Sequence, residues 1–220
     1  MGIPRTVLHP VWPLRARQDG EGEEARARTD DELIQAVLRG DDRVTAELYR
    51  SLFPAVDRTL CRVFGGRDRE HEDLVQNAFE QIVSTIASSK FNRGCSLATW
   101  ASAVTTKVGL SALRSRCRER NLLDRSGRID GTKLADLSSY EIDRQLGARD
   151  MIQKLQTVLS TMSPNRAEVL FLHDVAGLEL SEIGALTGDS EAAVQSRLVR
   201  GRRELMARLS ELDASGGALS

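Results

Sequence analysis

Glu182-Ile183-Gly184-Ala185-Leu186-Thr187-Gly188-Asp189-Ser190-Glu191-Ala192-Ala193-Val194-Gln195-Ser196-Arg197-Leu198 decides the fold. It reads as two helices broken by one tight turn. Gly184, lacking a side chain, lets the helices approach; Gly188 permits the turn, and Ser190 is placed to cap the second helix. Ile183, Val194 and Leu198 supply a buried wedge. At 100° per residue, Val194, Leu198, Gly201 and Leu205 share one side of the last helix, which leaves Gln195, Ser196, Arg200 and Arg203 outward or flanking. This is helix-turn-helix spacing. Between Glu191 and Arg203, arginines 197, 200, 202 and 203 oppose the single acid Glu191, a local net charge of +3. A helix entering the major groove needs polar residues at its N-terminal end for base edges and a cationic flank for phosphates. Glu191, Gln195, Ser196, Arg197, Arg200 and Arg203 present that order, although an αα-hairpin with a solvated arginine face has the same pattern.

Working outward, the 220 residues carry 40% hydrophobic and 29% charged residues, the balance of a soluble folded chain. With 4% aromatic residues and 5 prolines, a β-sandwich or barrel is disfavoured. The expected fold class is all-α: two small helical domains joined by a flexible linker, the second a four-helix helix-turn-helix domain. No run approaches the ~18 apolar residues of a membrane helix, so a cytoplasmic protein without direct membrane insertion is expected. A net charge of −1 excludes coating nucleic acid by bulk positive charge, leaving local basic faces to do so. Cys61, Cys95 and Cys117 form no CxxC pair, and His9, His71 and His173 stand at no ligand spacing from them, so reduced thiols and no metal or cofactor are expected.

Residues 1–28 mix prolines 4, 10 and 13 with a charged run and read as a mobile tail. Order begins with the capping box Thr29-Asp30-Asp31-Glu32. A short helix carrying Leu33, Ile34, Val37 and Leu38 ends at Gly40. Val44, Leu48, Leu52, Val56, Leu60 and Phe64 keep a four-residue step in a second helix, which Pro54 is expected to kink or split. A third, from about Asp68 to Ala87, carries Leu74, Val75, Ala78, Phe79, Ile82, Val83 and Ile86; a fourth, capped by Ser96, carries Leu97, Trp100, Val104, Val108 and Leu113. These compose a first domain over 29–120. Residues 121–149 lack apolar periodicity and read as the linker. The second domain, 150–213, opens with Met151, Ile152, Leu155, Val158 and Leu159, followed by Ser163-Pro164 at a helix start; 214–220 is a tail.

The fourth helix holds Lys107, Arg114, Arg116, Arg118 and Arg120 against Glu119, a net +4, and follows the loop Lys90-Phe91-Asn92-Arg93-Gly94-Cys95. A cationic helix beside an aromatic, polar loop suits single-stranded DNA, with phosphates along the charge and unstacked bases in the loop. Phe91, Asn92, Arg93, Lys107, Arg114 and Arg116 are the candidates; Trp100, on the Val104/Val108 stripe, reads as core. From Arg67 to Glu80, five acids face two arginines, and Glu72, Asp73, Gln76 and Asn77 could dock an arginine-rich partner. Acids at a helix start also simply complement the helix dipole.

Taken together, Glu72 through Phe79, Phe91 with Thr99-Trp100, Ser163-Pro164-Asn165-Arg166, and Glu182 through Leu198 with Arg200-Gly201-Arg202 make the chain resemble bacterial RNA polymerase sigma factors of the extracytoplasmic-function type, from about Asp30 to Leu212. The resemblance implies binding of core RNA polymerase through Glu72, Asp73, Gln76 and Asn77, capture and opening of the minus-ten promoter element by the first domain, and a flipped base near Phe91–Cys95. It places Glu191–Arg203 in the major groove of the minus-thirty-five element. It implies no catalytic residue and an anti-sigma factor as a further partner.

Two other readings account for less. A helix-turn-helix regulator acting without polymerase explains the last helices but not the acidic third or basic fourth. An enzyme using Cys61 or His173 lacks an oriented Cys–His–acid set in the sequence.

Overall fold

The computed structural model describes residues 29–40, 42–88, 91, 94–125 and 139–216. Asn92, Arg93, the expected tail over 1–28, residues 217–220 of the expected tail 214–220, and the middle of the expected linker, 126–138, lie outside the described residues, while 214–216 continue α8 as helix instead of tail. All regular elements among the described residues are helical: α1 (Asp30–Arg39), α2 (Asp42–Phe64), α3 (His71–Ala87), α4 (Leu97–Arg125), α5 (Ser139–Thr161), α6 (Pro164–Leu170) continued by a π-helical turn over Phe171–Val175, α7 (Leu180–Thr187) and α8 (Glu191–Gly216).

The caps explain where order starts. Glu32 Oε2 accepts from the Thr29 N–H at 2.7 Å while Thr29 Oγ1 accepts from the Glu32 N–H at 3.3 Å, so each satisfies a donor the helix start would leave open. Asp30, one residue on, is spent elsewhere: its Oδ2 accepts from the Leu97 N–H at 2.7 Å and ties α1 to the start of α4. Ser96 caps that same end, accepting from the Thr99 N–H at 3.1 Å.

Pro54 does not split α2, which runs unbroken through it. Pro54 and Arg50, whose carbonyl loses its usual donor, both lie on the exposed side, where water can substitute for the missing bond. The inward row is Leu48, Leu52, Val56 and Leu60. It meets Leu74, Ala78, Ile82 and Ile86 of α3, Leu33 and Ile34 of α1, and Leu97, Trp100 and Ala101 of α4 in a first core. Trp100 is buried there, as its stripe requires.

A second core changes the expected organisation. Val63 of α2 and Ala103, Leu110 and Leu113 of α4 pack with Val158, Leu159, Met162, Leu170, Phe171, Leu172, Ile183, Val194 and Leu198. The two groups of helices are therefore packed directly on each other through a second apolar side of α4. Residues 121–125 and 139–149, expected as flexible linker, are helical in α4 and α5. The sequence hid this because the apolar positions of α4 were assigned to one face, whereas Trp100 and Ala101 face one core and Leu110 and Leu113 the other. At the junction, Ile152 of α5 fills the space beside Gly65, where a β-carbon would stand 2.8 Å from its Cγ2, and Gln156 Nε2 donates to the Val63 carbonyl at 3.4 Å.

Candidate nucleic-acid interface

The turn between α7 and α8 is built around Gly184. The Gly188 and Asp189 N–H groups both donate to its carbonyl, at 2.9 and 3.1 Å, with Gly188 in the left-handed region at φ 74°. Ser190 Oγ accepts from the Ala193 N–H at 3.3 Å and opens α8. Ile183, Val194 and Leu198 are buried as the expected wedge. At the start of α7, Glu182 Oε2 accepts from the Glu179 N–H at 2.9 Å, a cap the sequence reading passed over.

Glu191, Gln195, Ser196, Arg200 and Arg203 are exposed on the outer side of α8. Arg200 lies along its own helix, donating from Nε to the Ser196 carbonyl at 3.1 Å and from Nη2 to Ser196 Oγ at 2.8 Å. Arg197 is differently occupied. It grips Asp189 with both terminal nitrogens, one at 2.9 Å from Oδ1, and that hydrogen bonding holds the Asp189 carboxyl below the usual carboxylate range. Asp189 thus locks the turn to the next helix. Arg202 is likewise forked on Asp174, with Nε at 2.9 Å from Oδ2. Of the four arginines, then, two brace the fold and Arg200 and Arg203 face outward. Arg200→Ala is expected to weaken binding of an upstream duplex by about 1–3 kcal/mol if Arg200 reads a base, and by less, with a shallower salt slope, if it touches phosphate alone. Fluorescence anisotropy across a salt series separates the two; unchanged binding removes Arg200 from the interface.

The α4 candidates divide the same way. Arg116 is held by Glu70 through Nε and Nη2 at 3.0 and 2.7 Å and by Asp68 through Nη1 at 2.6 Å, and it lies 4.4 Å over the Phe64 ring. Burial pushes the Asp68 carboxyl up, but Arg116 outweighs it and the net shift is downward. Arg116 therefore fastens the α2–α3 turn to α4. Lys107 and Arg114 face α6. Lys107 Nζ stands 3.3 Å from Glu168 Oε1, out of hydrogen-bond alignment, and Arg114 buries Nε and Nη2 without a hydrogen-bond partner. Phe91 packs edge-on against Trp100 at 5.1 Å and is half-buried at the rim of the first core, which accounts for this ring without a base.

Glu168 is the residue sequence reasoning missed. Its side chain is only 13% exposed, and burial pushes its carboxyl above the ordinary range against the pull of Lys107, Arg114 and Arg197. It stands with Lys107, Asn165, Thr187, Asp189 and Arg197 around a cavity of about 260 Å³ between the two groups of helices. Nothing local in Arg166-Ala167-Glu168-Val169 announces this, because all three cations come from other elements. Glu168→Lys puts a fourth cation into the same space and leaves the buried Arg114 nitrogens facing like charge, turning attraction across the junction into repulsion. The halves are expected to separate, raising the radius of gyration in small-angle scattering; an unchanged radius would show that the apolar junction alone holds them.

On α3, Glu72, Asp73, Gln76 and Asn77 are all exposed, while Leu74, Val75 and Ala78 point into the core. The structure brings these four together as one polar strip, with Gln76 Nε2 donating to Glu80 Oε1 at 3.1 Å. The cysteines hold a further surprise. Asp57, Cys61 and His71 converge, with His71 Nε2 2.8 Å from Asp57 Oδ1; Asp57 and Cys61 stand four residues apart on α2, but His71 joins them only across the α2–α3 turn. His173 pairs with Asp174 at 3.0 Å and is near no cysteine in that cluster.

These elements define a class: an all-helical protein with a helix-turn-helix at one end and an acidic helical strip at the other. Residues 48–119 match the family described as Sigma-70 region 2, and residues 152–205 match Sigma-70, region 4. The chain is 28% identical over 189 residues to the ECF RNA polymerase sigma factor SigE of Mycolicibacterium smegmatis, covering 85% of this chain and 64% of that protein. It is 27% identical over 184 residues to the RNA polymerase sigma factor NccH of Alcaligenes xylosoxydans xylosoxydans, covering 82% and 94%. Among solved structures, CnrH in complex with the cytosolic domain of CnrY aligns over 83% of this chain and 97% of that one, with a TM-score of 0.47 and 20% identity. The chain belongs to the Sigma-70 family, whose regions 2 and 4 together match more than half of it, and it resembles the extracytoplasmic-function type. It spans slightly less than two thirds of the SigE relative's length. No helix among the described residues is long and apolar enough to cross a membrane.

Proposed function

We propose that this chain binds core RNA polymerase through Glu72, Asp73, Gln76 and Asn77 and directs it to promoter DNA, performing no chemistry of its own and working in the cytoplasm. The observation that carries this reading is the occurrence of both sigma regions, in order, on one chain whose acidic strip and outer α8 face are both exposed. In this reading Glu191, Gln195, Ser196, Arg200 and Arg203 meet the minus-thirty-five element, and residues 29–120 take the minus-ten element with Phe91, Asn92, Arg93, Lys107 and Arg114. Arg116 and Arg197 serve by bracing the surfaces beside them. An anti-sigma partner belongs to the reading through family membership alone.

The packed arrangement sets a condition on this activity. Counted from their names, minus ten and minus thirty-five, the two elements lie about 25 base pairs apart, roughly 85 Å at about 3.4 Å per pair of B-form DNA, while a packed chain of this length has a radius of gyration of about 17 Å. One packed molecule does not reach both. Engagement of both elements therefore requires α6 to leave α4, which also releases Lys107 and Arg114 from Glu168. The test is titration of labelled full-length chain with core polymerase: saturable one-to-one binding supports the reading. Promoter binding without any polymerase association would favour the helix-turn-helix regulator instead.

A further inference from the structure

We propose that Asp57, Cys61 and His71 form a binding site for a divalent transition-metal ion of the zinc type, with Arg67 as its displaceable cover. Asp57 and Cys61 are one helical turn apart on α2, so carboxylate and thiol project from the same side. His71, the first residue of α3, brings a buried imidazole from across the α2–α3 turn. One ligand atom from each of the three lies within 4.8 Å of the other two. A zinc-type ion held at about 2.0–2.3 Å from nitrogen, oxygen and sulfur sets its ligand atoms roughly 3.3–3.8 Å apart, so His71 Nε2 and Asp57 Oδ1, now hydrogen-bonded at 2.8 Å, must part slightly and exchange that bond for the ion, an adjustment that side-chain rotation supplies. Three protein ligands leave a fourth position for water. Imidazole, thiolate and carboxylate together select a borderline ion of the zinc or cobalt kind over magnesium or calcium.

Arg67 gives the second, independent indication. Its guanidinium forks onto Asp57, Nε at 3.1 Å from Oδ1 and Nη2 at 2.8 Å from Oδ2, and also neighbours Cys61. The protein thus already places a positive charge over this group of ligands. Yet the Arg67 side chain is 62% exposed, while those of Asp57 and His71 are 18% and 8% exposed. The ligands are built in and the cation over them is loose. An exposed ion pair of this sort contributes little, so a divalent ion that engages all three ligands displaces it readily. The ion would then pin the first residue of α3, immediately before Glu72 and Asp73.

The test uses the full-length chain, reduced and freed of metal, titrated with cobalt(II) alone. One cobalt per chain is expected, with a thiolate-to-cobalt charge-transfer band in the near ultraviolet that zinc abolishes by displacement. C61S, which keeps Cys95 and Cys117, is expected to lose the band while retaining the helical circular dichroism of the parent. R67Q is expected to bind cobalt about twofold to fivefold more tightly, because the weakly held competing cation is gone. Absence of a band at high micromolar cobalt, a band that survives in C61S, or an affinity in R67Q equal to or weaker than the parent's would each overturn the assignment. Should C61S fail to fold, the R67Q comparison decides, since Arg67 is exposed and its loss spares the core. None of these readouts involves polymerase or DNA, so the site stands or falls apart from the promoter reading.

Discussion

Gly184→Ala is expected to destabilise the second group of helices by about 1–3 kcal/mol and, on the proposed reading, to remove upstream-element binding by α8. The sign is what makes this informative. Alanine in a helix interior is ordinarily more favourable than glycine by roughly 1 kcal/mol, so at a position with room the substitution would stabilise. At Gly184 a β-carbon would stand 2.8 Å from the Asp189 carbonyl oxygen, which is backbone and cannot rotate aside. Relief requires the turn to open, weakening the two bonds to the Gly184 carbonyl and moving Asp189 away from Arg197. The outer face of α8 then loses its fixed angle to α7. Urea denaturation of the parent and variant measures the effect; an increase in stability would show that the turn does not wrap Gly184 this tightly.

The second large effect concerns the acidic strip. On the proposed reading, Glu72→Lys combined with Asp73→Lys reduces affinity for core polymerase by at least ~100-fold, since like charges set against each other across an interface cost several kcal/mol. Both side chains are exposed, so the fold should survive. The expected structural penalty is the lost complement to the α3 dipole, about 0.3–1 kcal/mol per residue. Helical circular dichroism should therefore be retained while polymerase binding is lost. Parental affinity in the double variant would leave these acids with the dipole role alone.

Much of the fold was legible because short-range rules govern it. The Thr29 capping box, the row Leu48, Leu52, Val56 and Leu60, the burial of Trp100 and the glycine turn after α7 depend on residues within one or two helical turns of each other. What escaped the sequence depends on meetings between distant elements. Leu110 and Leu113 of α4 serve the second core, Glu168 gathers cations from two helices, and Asp57 and Cys61 meet His71 across a turn. The same limit applies to the charged candidates. Composition records charge but not pairing, so Arg116 and Arg197 read as open cations in the sequence, whereas each is clasped by carboxylates that the sequence places 46 and 8 residues away. The exposed α8 residues Gln195, Ser196 and Arg200 were identified by periodicity alone because their helix turns one side into the wedge and the other to solvent.

Run-off transcription with purified core polymerase, this chain and a pool of genomic promoter fragments asks whether the chain gives polymerase a choice of start site. Discrete transcripts are expected, starting at fixed sites, that core polymerase alone does not make and that the Glu72/Asp73 double variant fails to restore. Transcripts no different from those of core alone, across the whole pool and with the chain in saturating excess, would contradict the promoter reading.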